Sequence, residues 1–367
     1  MVAVFGFLFV GCMRHVYLEV TKPAEVTLAS DITRLAVFDR PASDDSSAVF
    51  NDFLFEHSQL KQPRFQILEP KTADSAYQKM NIVLGKPLDS QTVVPLCQSL
   101  GVDALVALEH ADINGQWDVE RFTETETTTQ TVTKNGKTET QEVSQEVERF
   151  RAIYAVDARA DWKLYSCKGT VLDQKTIRIQ DRWDGEGDTR IEAKEDAGNT
   201  ESIHRDIHQI LGLGYVQRIS PYEVDVARSL YGGRHFKQGN LSVETGRLDE
   251  AQQEFKRIAK STVGKTKGKA LHNLAVAEEA VGELSDAFDH AQRAARLTGK
   301  NQSKDLKRAL RLRMNEAKTI EQQLKAPTPE VERDSEEPTK GPEKPTKDTK
   351  TDTGTDTVSP NDAAKPD

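Results

Sequence analysis

Four sets of residues have types and spacings that could do chemistry. His204 and His208 stand four apart in a stretch patterned as a helix, so both imidazoles share one face and could begin a metal site. Zinc needs at least a third protein ligand, and no further His or Cys stands at a matching spacing, so a solvated helix face is expected. Asp184, Glu186, Asp188, Glu192 and Glu195 fall at positions 1, 3, 5, 9 and 12 of a calcium-loop pattern. Thr189 stands where that loop needs its sharp-turn glycine, and an acidic turn between a strand and a helix is expected instead. Gly264-Lys265-Thr266 ends like a phosphate-binding loop, but Ala259 occupies the place of its first glycine and no strand pattern precedes it. Cys12, Cys97 and Cys167 show no metal spacing and no C-x-x-C pair, and neither G-x-S-x-G nor H-E-x-x-H occurs. The expectation is a chain with no catalytic residues, no metal and no cofactor.

Elements around these residues divide the chain. A length of 367 residues accommodates two or three domains. Hydrophobic content is 36% and mean hydropathy −0.63, with the polar excess concentrated in residues 110–150 and 326–367. The net charge of −9 argues against nucleic-acid binding, which needs a basic footprint.

Residues 31–231 read as an α/β domain. Leu35-Ala36-Val37-Phe38 is a buried strand; 48–60 is an amphipathic helix; Phe65–Leu68 is a short strand. A helix from Asp89 to Leu100 ends at Gly101, and Asp103–Leu108 follows as a second buried strand. Within 110–150, two polar, β-prone runs flank Asn135-Gly136, which predicts a long protruding hairpin, with a disordered loop as the alternative. Neither alternate set of its residues is apolar, so it does not face lipid and instead stays in water or docks on a partner. Strands over 151–166 and 169–180 extend the sheet, with Ala152, Tyr154, Val156, Ala158 and Ala160 on one face. A helix over 202–218 ends at Ser220-Pro221, and Tyr222–Tyr231 is a last strand or short helix.

Residues 236–325 carry a helical period. Gly239, Gly246, Ala251 and Phe255 mark one helical hairpin; Leu274, Ala275, Gly282, Ala287 and Ala294 mark a second. The steps from Gly246 to Gly282 and from Ala251 to Ala287 are both 36 residues, near the ~34-residue period of tetratricopeptide arrays. Asn273-Leu274-Ala275 with Gly282-Glu283-Leu284 and Ala287 resembles a tetratricopeptide (TPR) motif, and a helix over 303–324 caps the pair. Such a resemblance implies a surface that holds another protein.

The first twelve residues, MVAVFGFLFVGC, are too short to span a bilayer but suit a signal-peptide apolar region. Phe9-Val10-Gly11-Cys12 resembles a bacterial lipobox, with Phe9 in place of the usual Leu and no Lys or Arg before the apolar run. The resemblance implies a signal peptide over 1–11, lipidation of Cys12 and a tether over 12–30. An ordinary apolar terminus with a buried cysteine is the alternative. Cys97 and Cys167 either pair in an oxidising compartment or remain two buried thiols.

The α/β part is similar at fold level to envelope lipoproteins of the curli-secretion and penicillin-binding-protein-activator families. Taken together, Cys12, Pro23-Ala24-Glu25-Val26, Leu35–Phe38, Gly101-Val102-Asp103-Ala104-Leu105, Arg218-Ile219-Ser220-Pro221-Tyr222 and Asn273-Leu274-Ala275 resemble an uncharacterised Bacteroidetes-type lipoprotein family. That resemblance implies an outer-membrane lipoprotein facing the periplasm, with a mixed α+β (α/β) domain ahead of TPR-like helices. It supplies no activity. The expected function is non-catalytic: a lipid-anchored envelope protein that scaffolds a protein partner. The alternative is an envelope hydrolase or glycan-binding module using the α/β domain. Residues 326–367 are Pro, Thr, Lys, Asp and Glu with hardly any apolar residue, a composition expected to remain disordered. Within them Asp356-Thr357-Val358 resembles an O-glycosylation acceptor of that bacterial group.

Overall fold

A computed structural model describes residues 13–325, apart from 42, 81, 83–85, 87, 135 and 136. The expected signal peptide, the lipidation residue Cys12, the hairpin tip Asn135-Gly136 and the expected disordered tail lie outside the described residues.

The first strand overturns the tether. β1 (Met13–Lys22) alternates Val16, Leu18 and Val20, all buried, with outward His15, Tyr17 and Glu19. That two-residue period needs a partner strand. β7 (Tyr222–Tyr231) supplies it, antiparallel from Met13↔Tyr231 to Lys22↔Tyr222. No extended tether therefore remains between positions 13 and 22.

A five-stranded mixed sheet forms the body. β2 (Arg34–Asp39) is followed by α1 (Asp44–Ser58), β3 (Gln66–Ile67), α2 (Pro70–Lys79), α3 (Ser90–Leu100), β4 (Ala104–Lys134), β5 (Lys137–Ser166) and β6 (Val171–Gly187). The order is β3-β2-β4-β5-β6; the first three strands are parallel and the last three antiparallel. Helices cover both faces of the parallel half, so Leu35–Phe38 of β2 and Ala104–Leu108 at the start of β4 are apolar at every position. Leu35, Val37, Val106, Leu108, Trp162 and Leu164 pack toward Val49 and Phe53 of α1. Ala36, Phe38, Leu105 and Ala107 pack toward Val93, Leu96 and Cys97 of α3. Asp89 caps α3, accepting from the Thr92 N–H at 2.8 Å, and Gly101 ends it at φ 61.

The long hairpin is formed rather than disordered. β4 and β5 stay paired out to Lys134↔Lys137, on either side of Asn135-Gly136. β6 leaves the sheet at Phe150↔Gly187, so beyond that point the hairpin is two-stranded. Its threonines are exposed along this arm, and Arg121–Glu148 (3.2 Å) and Arg149–Glu124 (3.1 Å) bridge the strands.

After β6 come α4 (Arg190–Ala197) and α5 (Thr200–Ile219), which closes the α1 face through Ile207, Leu211 and Tyr215. Ser220 is extended ahead of Pro221, as that dipeptide requires. The helical region comprises α6 (Lys237–Glu244), α7 (Leu248–Ser261), α8 (Gly264–Ala280), α9 (Leu284–Thr298) and α10 (Asn301–Leu324). Gly246 (φ 73) and Gly282 (φ 85) make the turns of the two helical pairs. A Cβ at Gly239 would lie 2.5 Å from the Phe255 ring, so only glycine lets α6 seat there. Ala251, Phe255, Leu274, Ala275, Ala287 and Ala294 are all buried in this core, which Val16, Leu18 and Val20 of β1 also enter. α10 packs on α9 and runs beside β1, where Arg313 donates to the Thr21 carbonyl (2.5 Å) and Lys22 pairs with Glu316 (2.7 Å).

Candidate functional site

Open parallel sheets bind ligands outside the carboxyl ends of their strands, where the chain departs to opposite faces. Here that place lies between β2 and β4, and side chains fill it. Arg40 is 1% exposed. Its Nε is 3.8 Å from Glu109 Oε2, and its guanidinium lies 5.4 Å from the Tyr77 ring centroid. The Tyr165 hydroxyl donates to Glu109 Oε1 at 2.5 Å. Burial lowers the Arg40 pKa despite Glu109, and burial together with Glu109 pushes the Tyr165 hydroxyl well up. The neighbouring Asp39 accepts from the Ser47 hydroxyl at 2.9 Å. Arg40, Tyr77, Glu109 and Tyr165 thus contact one another inside the fold.

The residues singled out for metal chemistry are separated or used elsewhere. His204 Nε2 is 2.6 Å from the Tyr154 hydroxyl, whereas His208 Nε2 is 3.3 Å from Asp45 Oδ1. The expected solvated face is therefore corrected: this face of α5 packs on β5 and α1. In the calcium-like run, Thr189 and Glu192 form a capping box at the start of α4, and Asp196 accepts from the Glu186 N–H. The acidic turn between strand and helix stands. Cys97 of α3 and Cys167, just after β5, form a disulfide with Cα atoms 5.6 Å apart, which resolves the open choice about these thiols. No sequence spacing could have signalled it, since the two are 70 residues apart.

A buried polar cluster joins the β1–β7 ribbon to the helices. The Tyr231 N–H donates to Asn273 Oδ1 (2.8 Å), and Asn273 Nδ2 donates to the Tyr231 carbonyl (2.9 Å) and to Asn240 Oδ1 (2.9 Å). His272 Nε2 donates to the Ser229 carbonyl (2.8 Å), and its Nδ1 lies 3.2 Å from the Ser303 hydroxyl. Burial holds the His272 pKa down at about 4, so the ring is neutral. Glu279, fully buried, takes a two-pronged contact from Arg228 (2.7 and 2.8 Å). Asn273, part of the expected repeat motif, thus holds the ribbon in place.

Apart from the exposed turn glycines Gly246 and Gly282, the residues marked as repeat landmarks line the core, so the accessible surface lies elsewhere. Between α9 and α10 runs a groove with two contiguous parts, about 600 and 330 Å³. Phe288, Gln292 and Met314 form its floor, and Lys307, Arg311 and Lys318 line it from α10. None of these three cations has a carboxylate partner among the described residues. Their spacing of four and seven residues on one helix, without interleaved acids on that face, is the signal that could have found them.

The chain is thus a mixed α+β protein whose sheet domain is bolted by a strand ribbon to a helical-hairpin region. Residues 46–231, just over half of the chain, match the family model described as domain of unknown function DUF8603, and the chain belongs to that family. Residues 237–317 match a second model, domain of unknown function DUF6340. No curated protein and no solved structure matches it.

Proposed function

We propose that this is a non-catalytic protein of the cell envelope, anchored by lipid at Cys12 and facing the periplasm, that holds a partner protein in the α9–α10 groove. The TPR-like helices offer the surface and the sheet domain is the platform. The observation that carries the reading is the row Lys307, Arg311 and Lys318 beside Phe288 and Met314, without a carboxylate partner among the described residues in a chain of net charge −9. The row spans about 16 Å of helix, which suits three turns of an acidic amphipathic helix laid in the groove. The Cys97–Cys167 disulfide supports an oxidising, extracytoplasmic setting. The filled crevice at Arg40, Glu109 and Tyr165 weighs against a hydrolase built on the sheet.

Crosslinking with mass spectrometry in the native envelope tests the groove. K307E/R311E/K318E is expected to reduce partner crosslinks to α9 and α10 at least about tenfold, as charge reversal costs several kcal/mol at an interface. An unchanged set of crosslinks sinks the groove reading. For the anchor, Cys12→Ala is expected to move the protein from the membrane fraction to the soluble fraction after a high-salt wash. Continued sedimentation with outer membranes removes the lipid from the account.

A further inference from the structure

Two turns of the helical region meet at one end of it, and both are purely basic. Residues 260–269, across the α7–α8 turn, contain Lys260, Lys265, Lys267 and Lys269 and no carboxylate. Residues 296–304, across the α9–α10 turn, contain Arg296, Lys300 and Lys304 and again no carboxylate. The turns are in contact: a Cβ on Gly268 would lie 2.8 Å from Thr298 and 2.9 Å from Leu297. None of the seven cations has a carboxylate partner among the described residues; the next acid along, Asp305, is paired with Arg308. Clustering seven like charges without counter-charges raises the free energy of the folded chain, and in a protein of net charge −9 it is not a compositional accident.

The end also carries apolar side chains in water. Val263, at the tip of the α7–α8 turn, is 85% exposed, and Leu297 in the adjoining turn is exposed as well. Both stand among lysines and arginine, with apolar tips pointing out and cations around them. This is the pattern of a surface that meets lipid headgroups and dips apolar groups below them.

The start of the described chain comes to the same end. Lys269 lies 5.6 Å from the Tyr231 ring centroid, and the Tyr231 hydroxyl is 3.1 Å from Ser303 in the first turn of α10. Tyr231 is the register partner of Met13, the residue directly after Cys12. With no tether over 13–22, β1 delivers the chain to the basic end itself.

We propose that this end, formed by the α7–α8 and α9–α10 turns, is a membrane-contact surface that binds anionic lipid headgroups. It would seat the helical region on the bilayer and leave the part of the α9–α10 groove beside Phe288 and Met314 to the partner, with Arg296 and Lys304 standing where the two surfaces adjoin. The exposed apolar tips Val263 and Leu297 among the cations favour a bilayer over a soluble polyanion, which would need the charges alone.

The test is co-sedimentation of the full chain with phosphatidylcholine vesicles that either contain or lack phosphatidylglycerol. Wild type is expected to bind the anionic vesicles in clear excess over the neutral ones, with the excess falling as salt rises. K260E/K265E/K267E/K300E, which leaves the groove cations Lys307, Arg311 and Lys318 intact, is expected to cut that excess more than tenfold, at about 1 kcal/mol for each cation removed. Val263→Ser is expected to weaken vesicle binding while leaving binding to soluble inorganic polyphosphate unchanged, since it removes the apolar tip without changing the charge. Circular dichroism of both variants checks that the helices are retained, and Val263→Ser together with the salt series keeps the test decisive if the fourfold variant unfolds. Equal binding of wild type to both vesicle types overturns the proposal. So does polyphosphate binding as tight as vesicle binding with no effect of Val263→Ser, which would assign the end to a soluble polyanion. Lipid at Cys12 or insertion of residues 1–11 contributes equally to both vesicle compositions, so the outcome is independent of the anchor reading and of the groove.

Discussion

Replacing Cys97 and Cys167 together with alanine is expected to destabilise the sheet domain by about 4 kcal/mol, the chain-entropy value for a closed loop of this length. The bond joins residues 70 apart, and the loop it closes contains the whole β4–β5 hairpin. Unfolded, that long segment gains its full freedom once the link is absent. Folded, α3 loses its covalent tie to the turn between β5 and β6 and is held by packing alone, Val93, Leu96 and Leu100 clustering with Ala36, Phe38, Leu105 and Ala107. Urea unfolding followed by far-UV circular dichroism is the measurement. Oxidised wild type should unfold at clearly higher urea than the double variant, and wild type treated with reductant should fall to the variant's midpoint. Coincident curves for oxidised and reduced wild type would show that the link contributes nothing to stability.

The second large effect is expected at Asn273. Its side chain satisfies the Tyr231 N–H and carbonyl and bonds Asn240, all of them buried. Asn273→Ala leaves those groups without that partner, at about 1–3 kcal/mol for each buried group left unsatisfied; only the Tyr231 carbonyl retains a bond, from Asn240 Nδ2 at 3.1 Å. A total of about 3 kcal/mol or more follows. The loss should be local: hydrogen exchange should accelerate first in β1 and β7, which lie on this cluster, and only later in β2 and β4. Uniform acceleration across the chain would refute that ordering. Acid acts on the same cluster. The neutral His272 is held at about 4 against an ordinary 6.5, so between those values the unfolded chain binds a proton that the folded chain does not. Stability is therefore complete above pH 6.5 and declines as pH falls toward 4, by about 3 kcal/mol for such a shift. His57, also depressed to about 4 by burial, adds a second contribution over the same window.

The small and apolar residues that mark the helical period hold packing positions in the helical pairs. Gly239, Ala251, Phe255, Ala275 and Ala287 lie where small or apolar residues must pack, so they specify the helical pairs and present nothing to a ligand. The groove cations Lys307, Arg311 and Lys318 lie within the helix expected over 303–324, with no role of their own expected there. They became a candidate site once α9 was seen to lie against α10 and put Phe288 beside them. His204 and His208 went the other way: a pair that looked like one face of a metal site was divided between Tyr154 and Asp45.

What could be read from the residues in order is what acts over a few positions. The apolar run of β2, the αL glycine that ends α3, the break at Ser220-Pro221 and the alternating face of β5 are short-range preferences, and each appears where its residues put it. The fold class followed from their succession. The pairing of β1 with β7 and the Cys97–Cys167 bond could not be read that way. An alternating strand states that it has a partner and an apolar face, but any of several strands satisfies those terms. The choice is made by the assembled core, where Val16, Leu18 and Val20 fit between β7 and the helices and two cysteines far apart in the chain come within bonding distance.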